Sequence, residues 1–157
     1  VTMPVSNAHI LGGLILAFFV LGMIQYAVVF LVGIAVGLNL GSDPVAIVLI
    51  MMAFTLTTGG LTFVLANFIR TEQQAGSLTT LLGLTLAPLG GAWWPLEIVP
   101  DFMRTIGHLS PVAWAMDGFR ELIFFDGTLA DVWLYIVILL GYAIVLFAFG
   151  VYRFSYE

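Results

Sequence analysis

The sequence contains no cysteine, which excludes a disulfide framework, a thiolate metal site and a cysteine nucleophile. It has no lysine either, the basic residues being Arg70, Arg104, Arg120 and Arg153. A phosphate-binding P-loop is thereby ruled out, because its lysine must reach the terminal phosphates. If the protein works with ATP, another chain or another part of the polypeptide binds it. Charge of either sign is scarce: 8% of the 157 residues are charged, against about 25% in a soluble domain. The net charge of −5 leaves no basic footprint for nucleic acid. Apolar residues fill the space, at 62%. This is the composition of an integral membrane protein embedded in the lipid bilayer.

Familiar catalytic patterns are also missing. His9 and His108 are far apart and neither stands in an H-x-x-x-H or H-E-x-x-H spacing, so no metal site is expected. Ser110 follows His108 closely but lacks the G-x-S-x-G elbow of a hydrolase, and Ser110-Pro111 reads as a helix start. The chain opens on Val1, and Thr2-Met3-Pro4 is no charged leader. A piece of a longer or processed protein is expected.

Four membrane spans can be laid along the chain. The first covers about 10–38, with Gln25 as its strongly polar interior residue. At 1.5 Å per residue it is roughly 43 Å long, more than the ~30 Å hydrocarbon core. Gly33, Gly37 and Gly41 recur at four-residue spacing, as a helix packing face would. Asn39 to Pro44 is a turn, with Ser42 and Asp43 as candidate caps. The second span, about 45–69, carries a hydroxyl-rich middle at Thr55, Thr57, Thr58 and Thr62. Arg70 to Gln74 is a polar break. The third span is short, about 76–94, and contains Pro88. The fourth, about 132–152, follows a turn near Gly127 with Asp131 as a candidate cap.

Between the third and fourth spans lies the unusual stretch. Gly90-Gly91, Trp93-Trp94, Pro95, Pro100 and Pro111 cannot belong to one continuous helix. The stretch 95–125 nevertheless stays apolar, so it is expected to dip into the membrane from one side. Such backbone is tolerated there only when buried in protein or lining a wet cavity. Its last part, Pro111 to Phe125, reads as an amphipathic helix with Pro111 in its first turn. Asp117, Arg120 and Glu121 share its polar side and are read as an ion-paired surface. Trp93, Trp94, Trp114 and Trp133 are read as interfacial anchors. The expected fold is thus an all-α integral membrane bundle of four transmembrane helices with a re-entrant helical segment before the last span. It forms a single transmembrane domain over 1–157.

Four spans put both ends on one side of the membrane, together with Arg70 and Arg153. Arg104 and Arg120 lie opposite, so the arginine count is tied. Asp43, Glu97, Asp101, Asp117, Glu121, Asp126 and Asp131 fall on the side away from the ends. The ends are assigned to the cytoplasm. A transporter is the reading these features favour. A secondary transporter or channel gated by its own re-entrant segment, and a polytopic enzyme using His108 or Asp117, are the alternatives.

The chain resembles the membrane subunits of type-2 ATP-binding-cassette exporters. The likeness rests on Leu89-Gly90-Gly91, Pro95, Pro100 and the run Pro111-Val112-Ala113-Trp114-Ala115-Met116-Asp117-Gly118-Phe119-Arg120. Met3-Pro4-Val5-Ser6 followed by Ile10-Leu11-Gly12-Gly13 is similar to a cytoplasmic coupling helix entering the third span. Glu72-Gln73-Gln74-Ala75 is similar to the polar stretch before the fifth. The resemblance implies spans three to six of a six-span permease, paired with a second permease subunit, itself or a homologue. It implies a separate ATP-binding cassette ATPase subunit carrying ATP and Mg, no cofactor on this chain, and residence in the cytoplasmic (cell) membrane. It assigns Pro4, Val5, Ser6 and Asn7, within 1–9, to the coupling region. Gly90, Gly91, Pro95, Pro100, Pro111, Trp114, Asp117 and Arg120 fall to an external gate. Gln25, Thr55, Thr58 and Asn67 fall to the pathway or an interface.

Overall fold

The structure is a computed structural model describing residues 7–154, with side chains over 12–153. Among the described residues it is all-helical: α1 Asn7–Ala35, α2 Pro44–Ala66, α3 Glu72–Leu89, α4 Asp101–Gly107, α5 Pro111–Phe124 and α6 Leu129–Phe154. A single-turn 3₁₀ helix, Leu96–Ile98, precedes α4. The chain forms two compact units, Val1–Leu38 and Asn39–Glu157.

The first unit is α1, apolar on every side and exposed along its length, as befits a helix solvated by lipid or by other membrane segments. It stops at Ala35 rather than running to 38. Gly37 adopts φ +96°. The Leu38 N–H then donates to the Gly33 carbonyl at 2.8 Å, and the Gly37 N–H to that of Ile34 at 2.9 Å. This pair of bonds is a Schellman cap. Gly33, Gly37 and Gly41 therefore do not share one helix face: Gly37 ends the helix, and Gly41 lies in the turn beyond.

The second unit is built on α2 and α6. Ala46, Ile50, Ala53, Thr57 and Gly60 recur at alternating spacings of four and three, and all are buried. They form the seam that faces α5 and α6. The two long helices run parallel, because each meets the other start to start and end to end. At the starts, Asp43 accepts from the Leu129 N–H at 3.0 Å. Midway, the Thr57 hydroxyl donates to the Leu139 carbonyl at 2.7 Å. At the ends, the Asn67 side-chain amide donates to the Gly150 carbonyl at 3.2 Å, and Arg153 stacks on the Phe68 ring at 4.4 Å. Polar bonds between membrane helices contribute about 0.6–2 kcal/mol each. Small residues bring the backbones close: a methyl on Gly150 would stand 2.4 Å from the Phe63 ring.

Asp43 has two tasks. One carboxylate oxygen caps α2 through the Ala46 N–H at 3.0 Å, and the other holds the start of α6. The N–H of Ala46, and then that of Leu129, keep the Asp43 carboxyl below its ordinary value. Its contribution is therefore present above the ordinary carboxylate range and is lost as pH falls through the lowered native value. We expect the parent protein's melting temperature to drop on acidification through that window. The Asp43→Asn variant should melt lower at neutral pH and give a flatter acid profile; superimposable profiles would contradict this dual capping.

The observed helices differ at their ends from the expected spans. The run 45–69 becomes Pro44–Ala66, 76–94 becomes Glu72–Leu89, and 132–152 becomes Leu129–Phe154. α3 starts earlier because the Thr71 hydroxyl caps it through the Gln74 N–H, while the Gln74 side chain accepts from the Arg70 N–H. Asp131 sits inside the first turn of α6 and reaches back to the N–H and hydroxyl of Thr128, so it is not itself the N-cap residue. Among the described residues three helices are long and apolar enough to cross a membrane: 12–35, 44–66 and 129–153. α3, with none of its residues buried, is not among them.

Candidate functional site

The segment 90–124 is folded against α3, α2 and α6 by close backbone approaches. α3 ends at Gly90, where a methyl would meet Val112 at 2.4 Å. Gly91 follows at φ +79° and leaves room for Leu96, whose Cγ would be 2.9 Å from an added methyl. Leu96 is accordingly buried, although both its neighbours are exposed. The three prolines each mark a boundary. Pro95 precedes the 3₁₀ turn, Pro100 precedes α4, and Pro111 opens α5 behind the N-cap Ser110, whose hydroxyl accepts from the Val112 N–H at 3.2 Å. Gly107 closes the arrangement by pressing α4 onto the Leu89 carbonyl, 2.5 Å from where a methyl would stand. Gly118, opposite Ile50, seats α5 on α2.

This packing gathers a polar cluster. His108 Nε2 is 2.8 Å from Asp117 Oδ2, and Nδ1 is 2.8 Å from the Arg104 carbonyl. The indole N–H of Trp114 donates to the His108 carbonyl at 2.8 Å, and its ring stands edge-on to the imidazole at 4.9 Å. Arg120, only 16% exposed, pairs with Glu97 across from the 3₁₀ turn and lies 4.0 Å from Asp117. His108, Asp117, Arg120 and Glu97, with Glu121 of α5 and Tyr135 of α6, line a polar cavity of about 200 Å³.

The tip of the segment sits deep relative to the long helices. The Tyr142 hydroxyl donates to the Leu109 carbonyl at 3.1 Å, and Tyr142 is roughly 20 Å along α6 from Leu129 at 1.5 Å per residue. The segment between α3 and α5 thus reaches about half-way down α6, while the far end of α5 returns to Gly41 at the start of α2.

Of the residues singled out from sequence, Gly90, Gly91, Pro95, Pro100, Pro111, Trp114, Asp117 and Arg120 all belong to this one assembly. Trp114 braces His108 and packs near Tyr135, which differs from the interfacial anchor expected of it; Trp93, Trp94 and Trp133 are exposed. The ion pairing expected within Asp117, Arg120 and Glu121 runs instead mainly to His108 and Glu97. Thr55 is buried and bonds back to the Met51 carbonyl. Thr58 lines an apolar groove of about 230 Å³ between α2 and α3, and Asn67 ties α2 to α6. Gln25 is exposed on α1, in the other unit. Pro4, Val5 and Ser6 lie outside the described residues, as does the side chain of Asn7. The sequence alone gave no role to Glu97, Arg104 or Tyr135, and a role to His108 only in the enzyme alternative. Their partners are 9 and 23 residues away for His108 and Glu97, beyond any helical period. Among the described residues no three His, Asp or Glu side chains come together to hold a metal ion.

The chain belongs to the ABC-2 family transporter proteins, whose family model matches residues 1–152. It is 34% identical over 150 residues to a linearmycin resistance permease protein of Bacillus subtilis (strain 168), covering 95% of this chain and 39% of that relative. No solved structure matches it. Family and apolar helices together make this a multi-pass protein of the cell membrane.

Proposed function

We propose that the chain is the C-terminal part of the permease subunit of an ATP-driven exporter, and that residues 90–124 form its external, re-entrant gate. The observation that carries the gate is depth. In a parallel pair such as α2 and α6, the connecting chain must travel back across the same thickness. α3, about 27 Å long, makes the first part of that return, so that α3 and α5 together stand where a fourth span is needed. The broken segment then turns at mid-depth, and α5 completes the return. Its irregular backbone lines a polar cavity, the condition under which such backbone is tolerated in a membrane.

On this reading a second permease subunit completes the pathway, and a separate ATPase subunit supplies ATP and Mg chemistry that this chain, lacking lysine, does not provide. Pro4, Val5, Ser6 and Asn7 would receive the ATPase movement; Thr58 on the α2–α3 groove and Gln25 on α1 would face substrate or a neighbouring helix. The relative's name includes resistance to linearmycin, which supports export that confers resistance as the class of activity.

Two measurements test this. The full-length protein, co-reconstituted with a candidate ATPase, should raise ATP turnover and move substrate outward; absence of both would sink the exporter reading. A cysteine introduced into this cysteine-free chain at Ile98, 73% exposed, should react with an impermeant reagent from outside. Reaction from the cytoplasmic side only would overturn the proposed topology.

A further inference from the structure

We infer that His108 and Asp117 form a proton-responsive clasp that sets how firmly the 95–110 segment is held on α5. This rests on the gate reading above and adds a regulatory input to it. Both imidazole nitrogens face acceptors: Nδ1 meets the Arg104 carbonyl and Nε2 meets the Asp117 carboxylate, each at 2.8 Å. A neutral imidazole offers one donor and one acceptor. With a neutral ring and an ionised carboxylate, one of the two contacts is acceptor against acceptor. The arrangement is complete only when the pair holds one proton more, as imidazolium facing carboxylate or as neutral ring facing carboxylic acid.

The surroundings concentrate the effect on this pair. From the 3₁₀ turn, Glu97 faces the cavity and engages Arg120. From α4 comes Arg104; from α5 come Asp117, Arg120 and Glu121; from α6 comes Tyr135. Arg120 is committed to Glu97 and stands 4.0 Å from Asp117, so it does not replace the imidazole as Asp117's direct partner. The clasp also sits where the segment touches everything else. The His108 carbonyl receives the Trp114 indole, and the adjacent Leu109 carbonyl receives the Tyr142 hydroxyl. Loss of the shared proton breaks one of the two imidazole contacts beside these attachments. The clasp holds while the pair carries that extra proton and loosens when it is lost.

Hydrogen–deuterium exchange of the full-length protein in lipid nanodiscs provides the test, read on peptides covering 104–113 and corrected for the intrinsic rate. Protection should fall about tenfold as pH is raised from about 5.5 to about 8, the scale of one hydrogen bond. In His108→Gln, which keeps a neutral donor, and in Asp117→Asn, it should be nearly independent of pH. A flat profile in the parent protein, which needs no variant to fold, overturns the clasp; so does a His108→Gln profile matching the parent's. Export in proteoliposomes supplies the second readout. An unchanged pH profile of export in His108→Gln, alongside an altered exchange profile, would overturn the regulatory role. Absence of export from the parent would count against the exporter reading alone, since the exchange measurement does not depend on transport.

Discussion

Gly41→Ala should prevent the Asn39–Glu157 unit from assembling normally. Two costs coincide at this position. Gly41 has φ +80°, which costs an L-residue about 1–2 kcal/mol. A methyl there would also lie 2.0 Å from the carbonyl oxygen of Leu122, and the atom in its way is backbone, held by α5. Relief requires the end of α5 to move off the start of α2, exposing Leu122, which is fully buried. We expect a total loss above about 3 kcal/mol, read as a collapse of the monodisperse peak in detergent or a large fall in melting temperature. Gly83→Ala is the control: nothing stands within 4 Å of its missing methyl, so the change should be neutral or slightly stabilising. Equal melting temperatures for Gly41→Ala and the parent would refute this account of the turn.

Gly107→Ala should separate folding from function. Its methyl would stand 2.5 Å from the Leu89 carbonyl oxygen, so α4 must lift away from the end of α3. The α2–α6 seam lies elsewhere and keeps its Thr57 and Asn67 bonds. The expected result is a melting temperature close to the parent's, faster hydrogen exchange over 104–113, and export or ATPase stimulation lower by roughly tenfold, within the range for changes along a coupling element. The displaced neighbour is His108, so the Asp117 and Trp114 contacts are lost with it. Parent-like export together with parent-like exchange would show that α4 does not need its seat on α3.

Local chemistry made much of this legible beforehand. Three prolines and a glycine pair announced the breaks between α3 and α5 because each proline forbids helix on its N-terminal side. Asp43 and Ser110 could be recognised as caps, since an acceptor before an apolar run satisfies free N–H groups. The glycine stripe misled because spacing alone does not distinguish a packing glycine from one that ends a helix: Gly33 packs under Leu38, Gly37 terminates, and Gly41 turns. The lateral partners were not legible at all. His108 with Asp117, Arg120 with Glu97 and Thr57 with Leu139 join elements through tertiary approach, which no local period records. Thr57 illustrates the point: within its hydroxyl-rich patch nothing marks it as the residue that crosses to α6, whereas Thr58 beside it bonds back to the Phe54 and Thr55 carbonyls.

The pairing of Asp43 with the Leu129 N–H, 86 positions apart, also bears on how the protein is made. At a synthesis rate of roughly 5–20 residues per second, α2 leaves the ribosome on the order of ten seconds before α6 exists to meet it. During that interval the Thr57 hydroxyl has only its own helix to bond, and the Asn67 amide has not yet met Gly150. The small-residue groove at Gly60 stands open over the same period. Whatever inserts this chain into the bilayer must therefore shelter a half-finished helix pair until translation supplies its other half.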